Sequence, residues 1–209
     1  IFDEDERLYE LVHEQYQGLN LTHAPEFTRV SKGNDAKALL DEDNRFDLII
    51  ATLHLEDMSV VDFVKKIREA GITTPIVLMA FDNREVSETA AGSIDSYFDQ
   101  VFIWQGDYQL IMAIIKHFED KLNVQHDTHL IGVQSIIVVE DNIRYYSSFL
   151  PIIYLEVMNQ SQRLLSESIS QSHIQLRQRA RPKILLCKTY EEAWGYIEKY
   201  HETISGVIS

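Results

Sequence analysis

The chain has 209 residues, 45% of them hydrophobic and 25% charged, with a formal net charge of −14. This composition suits a globular protein of one large or two small domains with sizeable cores. The acidic balance argues against direct nucleic-acid binding, which draws on Lys and Arg to neutralise phosphates, and no run approaches the roughly 18 apolar residues of a membrane span.

The segment Arg177–Lys183 is the one candidate basic patch. Cys187 is the only cysteine, so an intramolecular disulfide is excluded and a reducing, cytoplasmic setting is expected. A chain opening on Ile1 reads as a fragment of a longer one.

Residues 3–17 read as a helix, with Asp3, Glu4 and Asp5 in the first turn and Leu8, Leu11, Val12 and Tyr16 at helical spacing. Phe27–Val30 is a short strand candidate. Asn34 or Asp35 suits the N-cap of a helix over Ala36–Leu40. Phe46–Thr52 carries a buried-strand pattern, and Met58–Ala70 an amphipathic helix that Gly71 ends.

Thr74–Phe81 predicts a third apolar segment in strand form, with Pro75 at its start. Residues 83–96 are polar and read as helix, and Gln100–Trp104 as strand. Asp107 is placed to cap a helix over 108–122. Residues 1–123 therefore alternate helix and strand, the pattern of an α/β fold with a parallel sheet. Residues 124–134 read as a linker.

A second unit begins at Ser135–Asn142, where Ile136, Ile137, Val138 and Val139 run straight into Glu140 and Asp141. An unbroken β-branched run suits a strand buried on both faces. The carboxyl edge of an open parallel sheet is where ligands bind. Two adjacent carboxylates there repel each other unless a cation neutralises them, and Mg²⁺ is held by one or two such groups. The reading continues as a helix from about 142 in which Pro151 is expected to introduce a kink. A strand at Lys183–Cys187, a helix at Tyr190–Tyr200 and a strand at Gly206–Ile208 follow. The 40 or so residues from Asp141 to Pro182 exceed an ordinary crossover of roughly 30. They read as a long helical insertion, Ser- and Gln-rich beyond Gln160, serving either as an over-long arm or as a dimerisation or docking arm.

Both βα series resemble response-regulator receiver domains. Val138-Val139-Glu140-Asp141-Asn142 resembles the family's strand-one motif, Thr189-Tyr190-Glu191-Glu192-Ala193 the start of its second helix, and Gly206-Val207-Ile208-Ser209 the approach to its phosphoacceptor. The resemblance implies a flavodoxin-like doubly wound parallel sheet in two units. Residues 1–123 would form a degenerate receiver lacking its first strand. Residues 135–209 would form the front part of a second receiver, with Glu140 and Asp141 holding Mg²⁺ and the phosphoacceptor Asp expected immediately after Ser209.

In the first unit the resemblance puts Thr52 where the phosphoacceptor Asp should stand, Ala80 at the switch hydroxyl, and Trp104 or Gln105 at the lysine. Three changes together imply a pseudo-receiver without chemistry of its own. The implied partners are a histidine kinase or phosphotransfer protein, with a homodimer as a further expectation. The implied role is two-component phosphorelay signalling by a regulatory module that is not itself an enzyme.

The Thr52 region with Arg144–Pro151 also resembles the amino-terminal tandem-receiver region of bacterial proteins carrying a phosphoenolpyruvate-synthase or pyruvate-phosphate-dikinase-like domain. A regulatory region of such a phosphotransfer enzyme, or a purely structural flavodoxin-like pair, are the other readings.

The eight histidines are dispersed; only His126 and His129 lie close together. A zinc site needs four convergent ligands, so metal binding by His is not expected. His173 reads as a solvated helix position. No P-loop or Rossmann glycine pattern is present.

Overall fold

A computed structural model describes residues 5–19, 21, 24–42, 45–88, 94–166 and 181–209. In chain order the elements begin with α1 (Asp5–Gly18), α2 (Gly33–Glu42), β1 (Ile49–Thr52) and α3 (Val60–Glu69). They continue with β2 (Ile76–Ala80), α4 (Asn83–Glu88), a 3₁₀ turn at Ile94–Ser96, β3 (Gln100–Ile103) and α5 (Gln109–Ile131). Last come β4 (Ser135–Val139), α6 (Ile143–Ser166), β5 (Lys183–Cys187), α7 (Tyr190–Tyr200) and β6 (Ile204–Ile208). The fold is mixed α/β, and the chain divides into two compact units: residues 27–107, and residues 1–26 together with 108–209.

The unit of residues 27–107 holds a parallel sheet in the order β1-β2-β3. Ile49 pairs with Ile76 and Thr52 with Met79; Val77 pairs with Gln100 and Ala80 with Ile103. The central strand β2 is buried throughout, which is why its sequence shows no polar alternation. Helix α3 turns Val60, Phe63, Val64 and Ile67 inward. Ser59 caps it: the Asp62 N–H donates to the Ser59 hydroxyl, and that hydroxyl donates to the Asp62 carboxylate. Gly71 follows with φ 77°, a conformation that costs glycine nothing.

The other unit holds a second parallel sheet in the order β5-β4-β6. β4 is central, with Ser135 opposite Lys183 and Ile204, and Val138 opposite Leu186 and Ile208. Ile137, Leu185 and Cys187 share a core with Val124 of α5 and with Ala193 and Tyr200 of α7. Helix α7 opens with a Thr-x-x-Glu box. The Glu192 N–H donates to the Thr189 hydroxyl, and the Lys188 N–H to the Glu192 carboxylate.

Several expectations are corrected. Phe27–Val30 forms no strand; Phe27, Thr28 and Arg29 are exposed, so sheet burial has nothing to act on. Of the helix expected over 83–96, Asn83–Glu88 are α-helix and Ile94–Ser96 a 3₁₀ turn, and residues 89–93 lie outside the described residues. Tyr108, not Asp107, is the N-cap of α5, and it makes no side-chain capping bond.

Residues 124–131 are not linker but the last two turns of α5, with Val124, Asp127 and Thr128 buried and Gly132 (φ 70°) ending the helix. Gln125, His126 and His129 form the solvent side of that helix. Helix α6 continues past Pro151 to Ser166, 24 residues in all. Arg181 and Lys183 of the candidate basic patch are buried, not surface cations. Asp3, Glu4, His173 and the remainder of the insertion up to residue 180 lie outside the described residues.

Candidate functional site

Parallel pairing brings the carboxyl ends of β4 and β5 side by side: the Glu140 N–H donates to the Cys187 carbonyl at 3.0 Å. Glu140 and Asp141 stand directly beyond β4, the central strand. The Asn142 N–H donates to Glu140 Oε1 at 2.9 Å, which folds the half-buried Glu140 carboxylate back over the turn. The Arg144 N–H donates to Asn142 Oδ1 at 3.0 Å, so Asn142 starts α6 as its cap. Asp141 is exposed. The local sequence thus does two things: it ends the strand in two adjacent carboxylates and launches a helix from the next residue.

A pair of carboxylates suits Mg²⁺, which prefers one or two carboxylates and keeps several waters. Among the described residues no group of three or more His, Cys, Asp or Glu gathers into a metal site. Val138 pairs with Ile208, the last residue of β6, at this same edge.

At the corresponding edge of the β1-β2-β3 sheet, the positions that the resemblance singled out carry other side chains. Thr52 ends β1, Ala80 ends β2 and is fully buried, and Trp104 follows β3, its N–H donating to the Ala80 carbonyl at 2.7 Å. Gln105 is exposed one residue beyond. The fold therefore lines up the positions the resemblance singled out along one sheet edge, and none of them supplies a carboxylate or an ammonium group. Asp57, on the β1–α3 loop, is committed elsewhere. Its two oxygens accept the Gly33 and Asn34 N–H groups at 2.7 and 3.1 Å, capping α2 across the unit. Those backbone bonds hold its pKa below the usual carboxylate value against a desolvation effect in the opposite direction.

A buried ionic cluster sits at the opposite, amino end of the β5-β4-β6 sheet, and sequence reasoning missed it. Arg181 grips Asp120 with two bonds of 2.9 and 2.7 Å. Asp120 also accepts the Ile184 N–H at 2.9 Å, and the Tyr154 hydroxyl donates to the Ile184 carbonyl at 3.3 Å. Lys183 bonds Asp127 at 2.6 Å. Nearby, Lys116 pairs with Glu119 at 2.7 Å and lies 4.8 Å from the centre of the Tyr16 ring.

Burial pushes the Tyr154 and Tyr16 phenols well above their ordinary pKa. It lowers that of Lys116, an effect that Glu119 opposes. Three cations and three anions are balanced here. The cluster ties α5 and α6 to β5; the only sequence signal for it is an acid every seven residues along α5, at Asp120 and Asp127.

His126 lies against Asp127 at 3.0 Å, and His129 packs edge-on to Tyr200, so the closest histidine pair gathers no ligand set. No described helix is long and apolar enough to cross a membrane. In sequence comparison the chain matches no protein-family model and no curated protein.

Proposed function

We propose that the chain is a receiver region of a two-component phosphorelay: a degenerate receiver followed by the front part of an authentic one. The observation that carries this reading is the acidic pair Glu140–Asp141 at the carboxyl end of β4, the central strand of a parallel sheet ordered β5-β4-β6. In sequence order that is second strand, first strand, third strand, the opening arrangement of a flavodoxin-like doubly wound sheet. The order β1-β2-β3 is compatible with the last three strands of the same sheet.

In this reading Glu140 and Asp141 hold Mg²⁺, which offsets charge on a phosphoryl group passing to an Asp. The carboxylate of that Asp attacks the donor phosphorus, and the donor's leaving group departs with the bonding pair. In this reading the acceptor Asp follows Ser209, and the pairing of Val138 with Ile208 supports it by running β6 toward the level of Glu140. Thr52, Ala80 and Trp104 leave the other sheet edge without these groups. That unit then serves as a protein-interaction surface toward a histidine kinase or phosphotransfer protein in the cytoplasm.

The test is acetyl phosphate with Mg²⁺ applied to a chain extended beyond Ser209, read by intact mass. One phosphoryl adduct is expected, labile to hydroxylamine and abolished by Asp141→Asn. A non-acidic residue after Ser209, or an adduct indifferent to Asp141, sinks the proposal.

A further inference from the structure

Helix α7 turns Ala193 and Tyr200 into the core, yet its tryptophan stays outside. Trp194 is 46% exposed, and Tyr190, one turn earlier, 67%. Their rings stack 5.9 Å apart and 19° from parallel, forming one flat patch.

Carboxylates border the patch. The Trp194 Nε1–H donates to Glu198 Oε1 at 2.7 Å, which fixes an anion at the edge of the indole. Glu191 is exposed and, three residues before Trp194, adjoins it on the helix surface. The one cation of α7, Lys199, lies roughly 140° round the helix from Trp194. It reaches Gln125 of α5 and the Tyr200 ring instead.

Gly195, exposed beside these residues, is an independent pointer. Inside a helix glycine is less stable than alanine. Gly195 has no positive φ to require it, and a Cβ added there meets no described atom within 4 Å. The fold does not call for glycine at this position; the close approach of another backbone does.

We propose that this face of α7 docks an arginine-bearing basic segment of a partner protein. A guanidinium stacks on aromatic rings and forks onto a carboxylate at once, which an ammonium ion does less well. Two carboxylates beside the rings, with no cation among them, attract such a segment and repel an acidic one. Trp, Tyr and Arg are also the residues that dominate binding energy at interfaces. The proposal uses neither Glu140 nor Asp141.

Fluorescence anisotropy of a labelled arginine hexapeptide, titrated with the 209-residue chain in EDTA at about 0.15 M salt, tests this. The arginine peptide should bind at least ~fivefold tighter than a lysine hexapeptide. Trp194→Ala and Glu198→Gln should each weaken it at least ~fivefold. Glu69→Gln, which removes an exposed charge from α3, should change it less than about twofold. Gly195→Gln should raise the melting temperature yet weaken binding, a combination that a merely structural glycine does not give. Circular dichroism shows whether each variant is folded; should Trp194→Ala unfold, Glu198→Gln and Gly195→Gln still decide. No binding, no preference for arginine, equal losses for Glu198→Gln and Glu69→Gln, or Gly195→Gln binding like wild type overturns the proposal. So does a wild-type dimer in sedimentation equilibrium that Trp194→Ala dissociates, because a second copy then covers the face.

Discussion

The Asp120 carboxylate accepts the outward-pointing N–H of Ile184 at 2.9 Å while Arg181 holds it in a bidentate grip. In the parallel pairing the N–H of Lys183 points to the Gln134 carbonyl on the β4 side. The N–H of Ile184 therefore faces away from the sheet. Together with the Tyr154 hydroxyl on the Ile184 carbonyl, side chains complete both outward backbone groups of Ile184. This covers the amino end of an edge strand against pairing with another strand.

Because Arg181 is buried against Asp120, removing the anion alone is costly. Asp120→Asn should destabilise the protein by about 3–5 kcal/mol, the usual loss when one partner of a buried pair is taken away. Asp120→Leu with Arg181→Met should recover only part of that, since the Ile184 N–H is still orphaned. Urea denaturation followed by circular dichroism measures both. A loss below 1 kcal/mol for Asp120→Asn would mean that the cluster is solvated.

The protein should be acid-labile in two stages. Burial pushes the His117 pKa from 6.5 down to about 4, so the unfolded chain takes up that proton first. Stability from His117 is complete above pH 6.5 and drains away as pH falls toward 4, a change of about 3 kcal/mol. Asp127 adds a lower window. Its bonds to Lys183 and His126 outweigh desolvation and hold its pKa below the ordinary carboxylate value of 3.8, so its contribution is lost as pH falls through that depressed value. Unfolding free energy measured against pH checks both, and His117→Leu should flatten the upper window. A profile level between pH 6.5 and 4 contradicts the first stage.

Cys187 is fully buried, and burial, with a smaller contribution from Glu192, pushes its thiol up to about 12. Only the thiolate is nucleophilic. In the native protein a thiol reagent should label it slowly, at a rate set by opening of the sheet. In denaturant one equivalent should react at once. Fast stoichiometric labelling of the native protein would place Cys187 on a mobile edge.

The 209-residue chain as it stands should gain no phosphoryl group from acetyl phosphate, and Thr52→Asp alone should not confer acceptance. Ala80 offers no hydroxyl, and Trp104 and Gln105 no ammonium, to a phosphoryl group at that edge. Intact mass after incubation with Mg²⁺ reads the result. An adduct on either chain contradicts the inertness of the β1-β2-β3 edge.

Local chemistry made much of this molecule readable. The run Ser135–Val139 is β-branched and apolar because β4 has a neighbour on each side, and its bounds match the pattern residue for residue. Thr189 and Glu192 announce α7 through their own capping bonds. Glu140 and Asp141 follow β4 in the chain, so their place at a sheet edge was legible too.

Where residues distant in the chain decide the outcome, the sequence was silent. The stretch 124–131 looks like a linker until the packing of Val124 under the sheet and the bond from Lys183 to Asp127 make it helix. Arg181 and Lys183 look like surface cations until Asp120, some sixty positions earlier, is brought against them. Sequence by itself determined the strands of the two sheets and the acidic pair, whose causes lie within a few residues. Which charges are buried, and which helix binds which strand, depends on desolvation and pairing across space, and only the tertiary structure decided those.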